Sequence, residues 1–201
     1  MKKIYKLPAL DYEFDQLSPF LSKELLTLHH DKHHQKYIDN ANSILEKIDQ
    51  SRQNQADVAL DSLVKDLSYN VGGHVLHSLF WKNLTPDQQN KEMTDNLKLF
   101  LEEEFASVKN FKKEFSLVAS KTQGSGWGAL VYCPKTQRPF LMQIQNHHLN
   151  IYPGFKLLMV LDVWEHAFYL DYQTDKKSYI ENFWDFVNWT RVSKRLEAAR
   201  K

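Results

Sequence analysis

From Ser18 to Trp81 the chain sets apolar residues three and four positions apart with few breakers, the repeat of amphipathic helices. SPFLSKELLTLHHDKHHQKYIDNANSILEKI opens on Ser18 and Pro19, which predict the helix start. A second helical run, DVALDSLVKDLSYNVGGHVLHSLFW, follows the polar stretch DQSRQNQA, which has no apolar face and reads as the connector of a long helical hairpin. Proline and polar residues displace the pattern in NLTPDQQNKEMTD, predicting a hinge. Beyond it NLKLFLEEEFAS and VKNFKKEFSLVASK predict two short helices. The period then changes. GWGALVYC, PFLMQIQ and LLMVLDV are short, apolar and bounded by glycine, proline or polar clusters, as strands are, and the tail KSYIENFWDFVNWTRVSKRLEAARK returns to helix.

A length of 201 residues fits one compact body or two intimate layers. The formal net charge of +1, from 26 basic and 25 acidic side chains, provides no general field for nucleic acid or an anionic membrane, and neither is expected as a partner. Cys133 stands alone, which excludes an intramolecular disulfide framework. The opening MKKIYKLPALDYEFD lacks the apolar stretch of a secretory leader, so a cytoplasmic protein is expected. The longest apolar run, LLMVLDVW, is interrupted by Asp162 and too short to span a bilayer.

The histidines carry the chemical signal. All 9 fall in clusters: His29, His30, His33 and His34; His74 and His77; His147 and His148; and His166. On a helix His29, His33 and Tyr37 share one stripe, and two imidazoles at that spacing either ligate one metal or simply line a core. Gly72 and Gly73 each disfavour a helix by about 1 kcal/mol relative to alanine, so either a site or a tight helix crossing requires small residues there. Asp162 ends an apolar strand four residues before His166. A carboxylate there requires a salt bridge or a cation, and the scarcity of nearby lysines favours the cation. One carboxylate with several imidazoles suits iron, manganese or zinc.

LHHDKHHQKY, GGHVLHSLFW, GSGWGALVY, DVWEHAFYL and FWDFVNW, in this order and at these separations, resemble the signature stretches of the iron/manganese superoxide dismutases. The resemblance runs from YKLPALDYEFDQLSPFLS to VNWTRVSKRLEAA and includes archaeal- and actinobacterial-like features. It implies an α+β subunit: an N-terminal helical hairpin over residues 1–90, then an α/β domain over 91–201 whose small three-stranded antiparallel sheet is flanked by helices, with the metal site between the two. The implied activity converts superoxide to oxygen and hydrogen peroxide on one iron or manganese ion per subunit, cycling between trivalent and divalent states in antioxidant defence.

By the same resemblance His29, His77, Asp162 and His166 are the metal ligands, with solvent as a fifth. Tyr37 and His33 line the entry for superoxide, and Trp81, Trp127 and Trp164 wall the metal. Lys32 and Lys36 are candidates for drawing in the anion, though ordinary surface lysines fit them as well. Glu165 reaches across a homodimer interface to the second subunit's copy of His166, and Tyr169 pairs with the second copy of His33. Many members hold the metal's solvent with a glutamine four residues before the second histidine ligand, but that position here is Gly73. Within QIQNHHLN either Gln145 or His147 takes the role. His147 needs no gap in the chain and is preferred, a choice that leans toward tetramers built from dimers and leaves iron against manganese open.

Overall fold

The computed structural model describes residues 4–54 and 57–201. The first long helix starts at α1 (Lys23–Thr27), not at Ser18, because Ser22 takes the cap: its hydroxyl accepts from the Leu25 N–H at 3.1 Å. It continues as a π-helical stretch, Leu28–His34, and then as α2 (Gln35–Asn54). Helix α2 therefore runs through most of the expected polar connector. Its last turns need no apolar face, since nothing there breaks a helix and local pairs such as Gln50 with Glu46 and Arg52 with Asp49 help it along. Gln55 and Ala56, the end of that connector, lie outside the described residues. The antiparallel partner, α3 (Leu60–Asn83), completes the hairpin.

After the hinge come α4 (Asp95–Phe105) and α5 (Val108–Ser120), capped by Thr94 and Ser107. Three strands follow, β1 (Gly126–Cys133), β2 (Arg138–Gln145) and β3 (Lys156–Asp162), antiparallel in the order β2-β1-β3. Every residue of the central β1 is buried, which explains its unbroken apolar run in place of alternation. Helices α3, α5 and α8 (Trp189–Ala199) pack on the sheet, and α6 (Tyr169–Tyr172) and α7 (Lys176–Phe183) precede α8. The helical tail is thus divided in two. Val187 bridges to Leu84, and Asn188 accepts from the Arg191 N–H at 3.0 Å to start α8 afresh.

Among the described residues no helix is long and apolar enough to cross a membrane. The hairpin seats α3 against β3, so one histidine from each arm of the hairpin, His29 and His77, faces the carboxyl end of that strand.

Candidate metal centre

The first histidine cluster lies on the π-helical stretch Leu28–His34, whose wide winding brings His34, five residues on, toward the side of His29. His29, His30 and His34 turn inward and His33 stays exposed, so His29 and His33 do not enter the interior together. His30 bonds the Pro8 carbonyl through Nε2 at 2.9 Å, and His34 meets His74 at 2.8 Å, which ties both into the surrounding structure. His29 alone of the four reaches the carboxylate of Asp162.

Asp162 and His77 are fully buried beside it, and His166 is nearly so. Asp162 Oδ1 accepts from the Trp164 N–H at 3.0 Å, which turns Oδ2 toward three imidazoles. The Nε2 atoms of His29, His166 and His77 stand 3.1, 3.3 and 3.6 Å from Oδ2. With metal bonds of about 2.1 Å, ligands 90° apart about one ion lie ~3.0 Å from each other and ligands 120° apart ~3.6 Å. The observed separations span that range, and all four atoms lie within 4.8 Å of one another.

None of these four atoms has a hydrogen-bond partner among the described residues, close as they are. His77 shows why. Its Nδ1 donates to the Gly73 carbonyl at 2.7 Å, so its Nε2 is a bare lone pair aimed at another acceptor, Asp162 Oδ2. Two buried acceptors facing each other need a cation between them.

The charges agree. Burial drives the His29 imidazole down to about 4, with Asp162 opposing the drop and His166 adding to it. His77 is held well below its ordinary value, first by burial and then by His29. Burial by itself would raise the Asp162 carboxyl, but His166 and His29 outweigh it and keep it well below the usual carboxylate range. The result is one negative charge facing the imidazoles of His29 and His77, which burial keeps neutral. This donor set fits a divalent or trivalent iron or manganese ion, which it would leave with reduced net charge.

Aromatic rings enclose the cluster. Trp81 meets His29 edge-on at 4.8 Å, Trp127 meets His77 at 5.0 Å, and Trp164 lies 5.3 Å from His166. His147 is fully buried and stacks on Trp164 at 4.5 Å. Its Nδ1 accepts from Trp127 Nε1 at 3.1 Å, so the neutral ring carries its proton on Nε2, an atom without a partner among the described residues. Burial lowers this imidazole to about 4. Gln145 ends β2 exposed, its backbone bonded to Leu149, and is not brought to the cluster.

Both glycines of α3 serve this arrangement. A Cβ on Gly73 would stand 2.8 Å from the Tyr37 ring, and one on Gly72 would stand 2.3 Å from the His147 carbonyl oxygen. Tyr37 is buried, 5.2 Å from the His77 ring and 4.7 Å from His147, and burial followed by Tyr69 raises its phenol above the ordinary value. Tyr69 was not singled out by the sequence reading, yet it packs against Tyr37, His147 and His148. Its signal was its place eight residues before His77, on the same helical face.

On the outer side His33 stacks on His166 at 4.6 Å, and Glu165 and Tyr169 project into solvent from the turn that carries His166. These exposed groups border the buried cluster.

Residues 4–85 match the alpha-hairpin domain of the iron/manganese superoxide dismutases, and residues 93–195 match their C-terminal domain. A superoxide dismutase [Fe] of Methanothermobacter thermautotrophicus is 48% identical over 98% of this chain and 96% of its own length. A superoxide dismutase [Mn/Fe] of Propionibacterium freudenreichii subsp. shermanii is 42% identical over 98% of both chains. A superoxide dismutase [Mn] of Mycobacterium lepraemurium is 40% identical over 97% of this chain and 94% of its own. With four convergent donors and this full-length similarity, the chain belongs to the iron/manganese superoxide dismutase family.

Proposed function

We propose that this chain dismutates superoxide to oxygen and hydrogen peroxide with one iron or manganese ion held by His29, His77, Asp162 and His166. The observation that carries the reading is the bare Nε2 of His77 aimed at the buried carboxylate of Asp162. A one-electron couple, alternating trivalent and divalent, is what the bound ion supplies.

The protein's own residues do the rest. Asp162 offsets positive charge, and the neutral imidazoles add none, which keeps the site's charge low as the oxidation state alternates. Trp81, Trp127 and Trp164 exclude bulk water from the ligand side, so the dipoles around the site act at low dielectric. His147 Nε2–H is the donor placed to hydrogen-bond a small ligand or solvent, and its ring is fixed by Trp127 and Trp164. Tyr37 keeps its phenolic proton across the working pH range and stands beside His147, where it can pass a proton toward the anion. Lys32 and Lys36 are exposed on the same turns as His33 and add positive potential near this edge.

The relatives carry iron, manganese or both in their names, and the donor set here discriminates little between the two ions. The same reading divides the chain into residues 1–90 and 91–201, and makes His33, Glu165, His166 and Tyr169 the centre of a homodimer that pairs into a tetramer. Exposure of His33, Glu165 and Tyr169 beside the cluster supports that interface. Dismutation assays on metal-free protein reloaded separately with iron and manganese test the function. Activity should be absent without metal and return with at least one ion; loaded protein inactive with both ions overturns the proposal.

A further inference from the structure

Strand β3 lies at the edge of its sheet, so every second carbonyl points away from β1. Three successive ones are each met by a buried or half-buried side chain. Leu158 O accepts from Arg195 Nη1 at 2.8 Å, Val160 O from Asn83 Nδ2 at 2.7 Å, and Asp162 O from the Tyr179 hydroxyl at 2.8 Å. The donors come from three elements, α8, α3 and α7, and Arg195 also bonds the Asn83 side-chain oxygen. Shielding an edge from other chains would need only bulk or charge. Here the last donor falls on the main chain of the residue whose carboxylate faces the histidines.

Asp162 is thereby fixed at both ends, its backbone carbonyl by Tyr179 and its Oδ1 by the Trp164 N–H. The Tyr179 ring is itself clamped, stacked at 5.3 Å on both Phe20 and Phe168, so its hydroxyl has little freedom to follow a shifting strand. We propose that Tyr179 is a positioning residue for Asp162, with Asn83 and Arg195 holding the preceding carbonyls of β3. The strand's placement, and not the side-chain rotamer alone, then sets where Oδ2 meets the imidazoles. The proposal rests on the reading of Asp162 as a metal ligand.

Tyr179→Phe tests it, because both stacking contacts stay and one hydroxyl goes. The variant should load one metal and melt several degrees below the parent, because the buried Asp162 carbonyl loses its partner, and release the metal to a chelator about five- to tenfold faster. The electron paramagnetic resonance spectrum of its iron-loaded form should also change. Asn83→Asp keeps an acceptor for Arg195 but removes the donor at Val160, two residues from Asp162, and should speed release by about threefold or less. Parental release and spectrum in Tyr179→Phe overturn the proposal, as does an Asn83→Asp effect equal to or larger than that of Tyr179→Phe. If Tyr179→Phe does not fold, Asn83→Asp decides: faster release supports the proposal and parental release overturns it. A parent protein that fails to hold metal stoichiometrically overturns the ligand reading itself, an outcome the parent control separates from the others.

Discussion

Asp162→Asn should stabilise the metal-free protein and destabilise the metal-loaded one. In the metal-free state the carboxylate is fully buried, one oxygen takes a backbone N–H, and the other faces nitrogens from which it receives no hydrogen bond. Burying an ion costs several kcal/mol even after relaxation, a charge-assisted bond such as that from Trp164 offsets about 1.5–3 kcal/mol of it, and the pull of protonated imidazole on the carboxylate is weakened at pH 8, where His29 is uncharged. Asparagine retains the acceptor for Trp164 and replaces a repelling oxygen with an amine that can donate to the bare Nε2 of His77. The net gain is about 1–3 kcal/mol. In a chain of this length each kcal/mol moves the melting temperature by about 2–4 °C, so metal-free Asp162→Asn should melt roughly 2–12 °C above the metal-free parent. With iron or manganese added the order should reverse, because only the parent gains the free energy of binding. Calorimetry at pH 8 with chelator, then with added metal, measures both. Metal-free Asp162→Asn melting below its parent would show instead that Asp162 is satisfied without an ion.

Tyr37→Phe should retain metal and melt as the parent does, while its turnover falls or its inhibition changes; steady-state dismutation with metal analysis checks this. Gly73→Ala pushes a methyl into the Tyr37 ring, which can yield, and should cost about 1–3 kcal/mol with metal retained; Gly72→Ala meets the His147 backbone and should cost more in chemical denaturation and displace His147. Acid should destabilise the metal-free fold over a defined window. The His29 imidazole is lowered from 6.5 to about 4 on folding, so the unfolded chain binds its proton first. Its contribution is intact above pH 6.5, falls away between 6.5 and 4, and is worth about 3 kcal/mol in full, to be read from denaturation midpoints across that range.

Much of this was legible in the sequence where a local pattern carries it. The strand boundaries followed from the change of period, and the inward alternation of Met142 and Ile144 already turns Gln145 outward. The spacing of His29 and His33 left open which of the two faces the interior; both sit on a π-helical stretch that no residue type marks, the first buried and the second exposed. The glycine pair announced a close approach without saying of what; two unrelated neighbours, a ring and a carbonyl, explain the two positions. Asn188 is a readable cap inside the helical tail, where it starts α8. Tyr69 and Tyr179 were missed because their partners lie on other elements, and no periodicity records which hydroxyl will meet which carbonyl. The meeting of His29 with Asp162 is of the same kind, and only the resemblance of the whole chain to its family implied it.

The ligand set is tested most directly by anomalous diffraction from crystals of iron- or manganese-loaded protein at that metal's absorption edge. One peak per chain should appear, about 2.1 Å from Nε2 of His29, His77 and His166 and from Oδ2 of Asp162. A peak elsewhere, or one bonded to the histidines while the Asp162 carboxylate turns away, would contradict it.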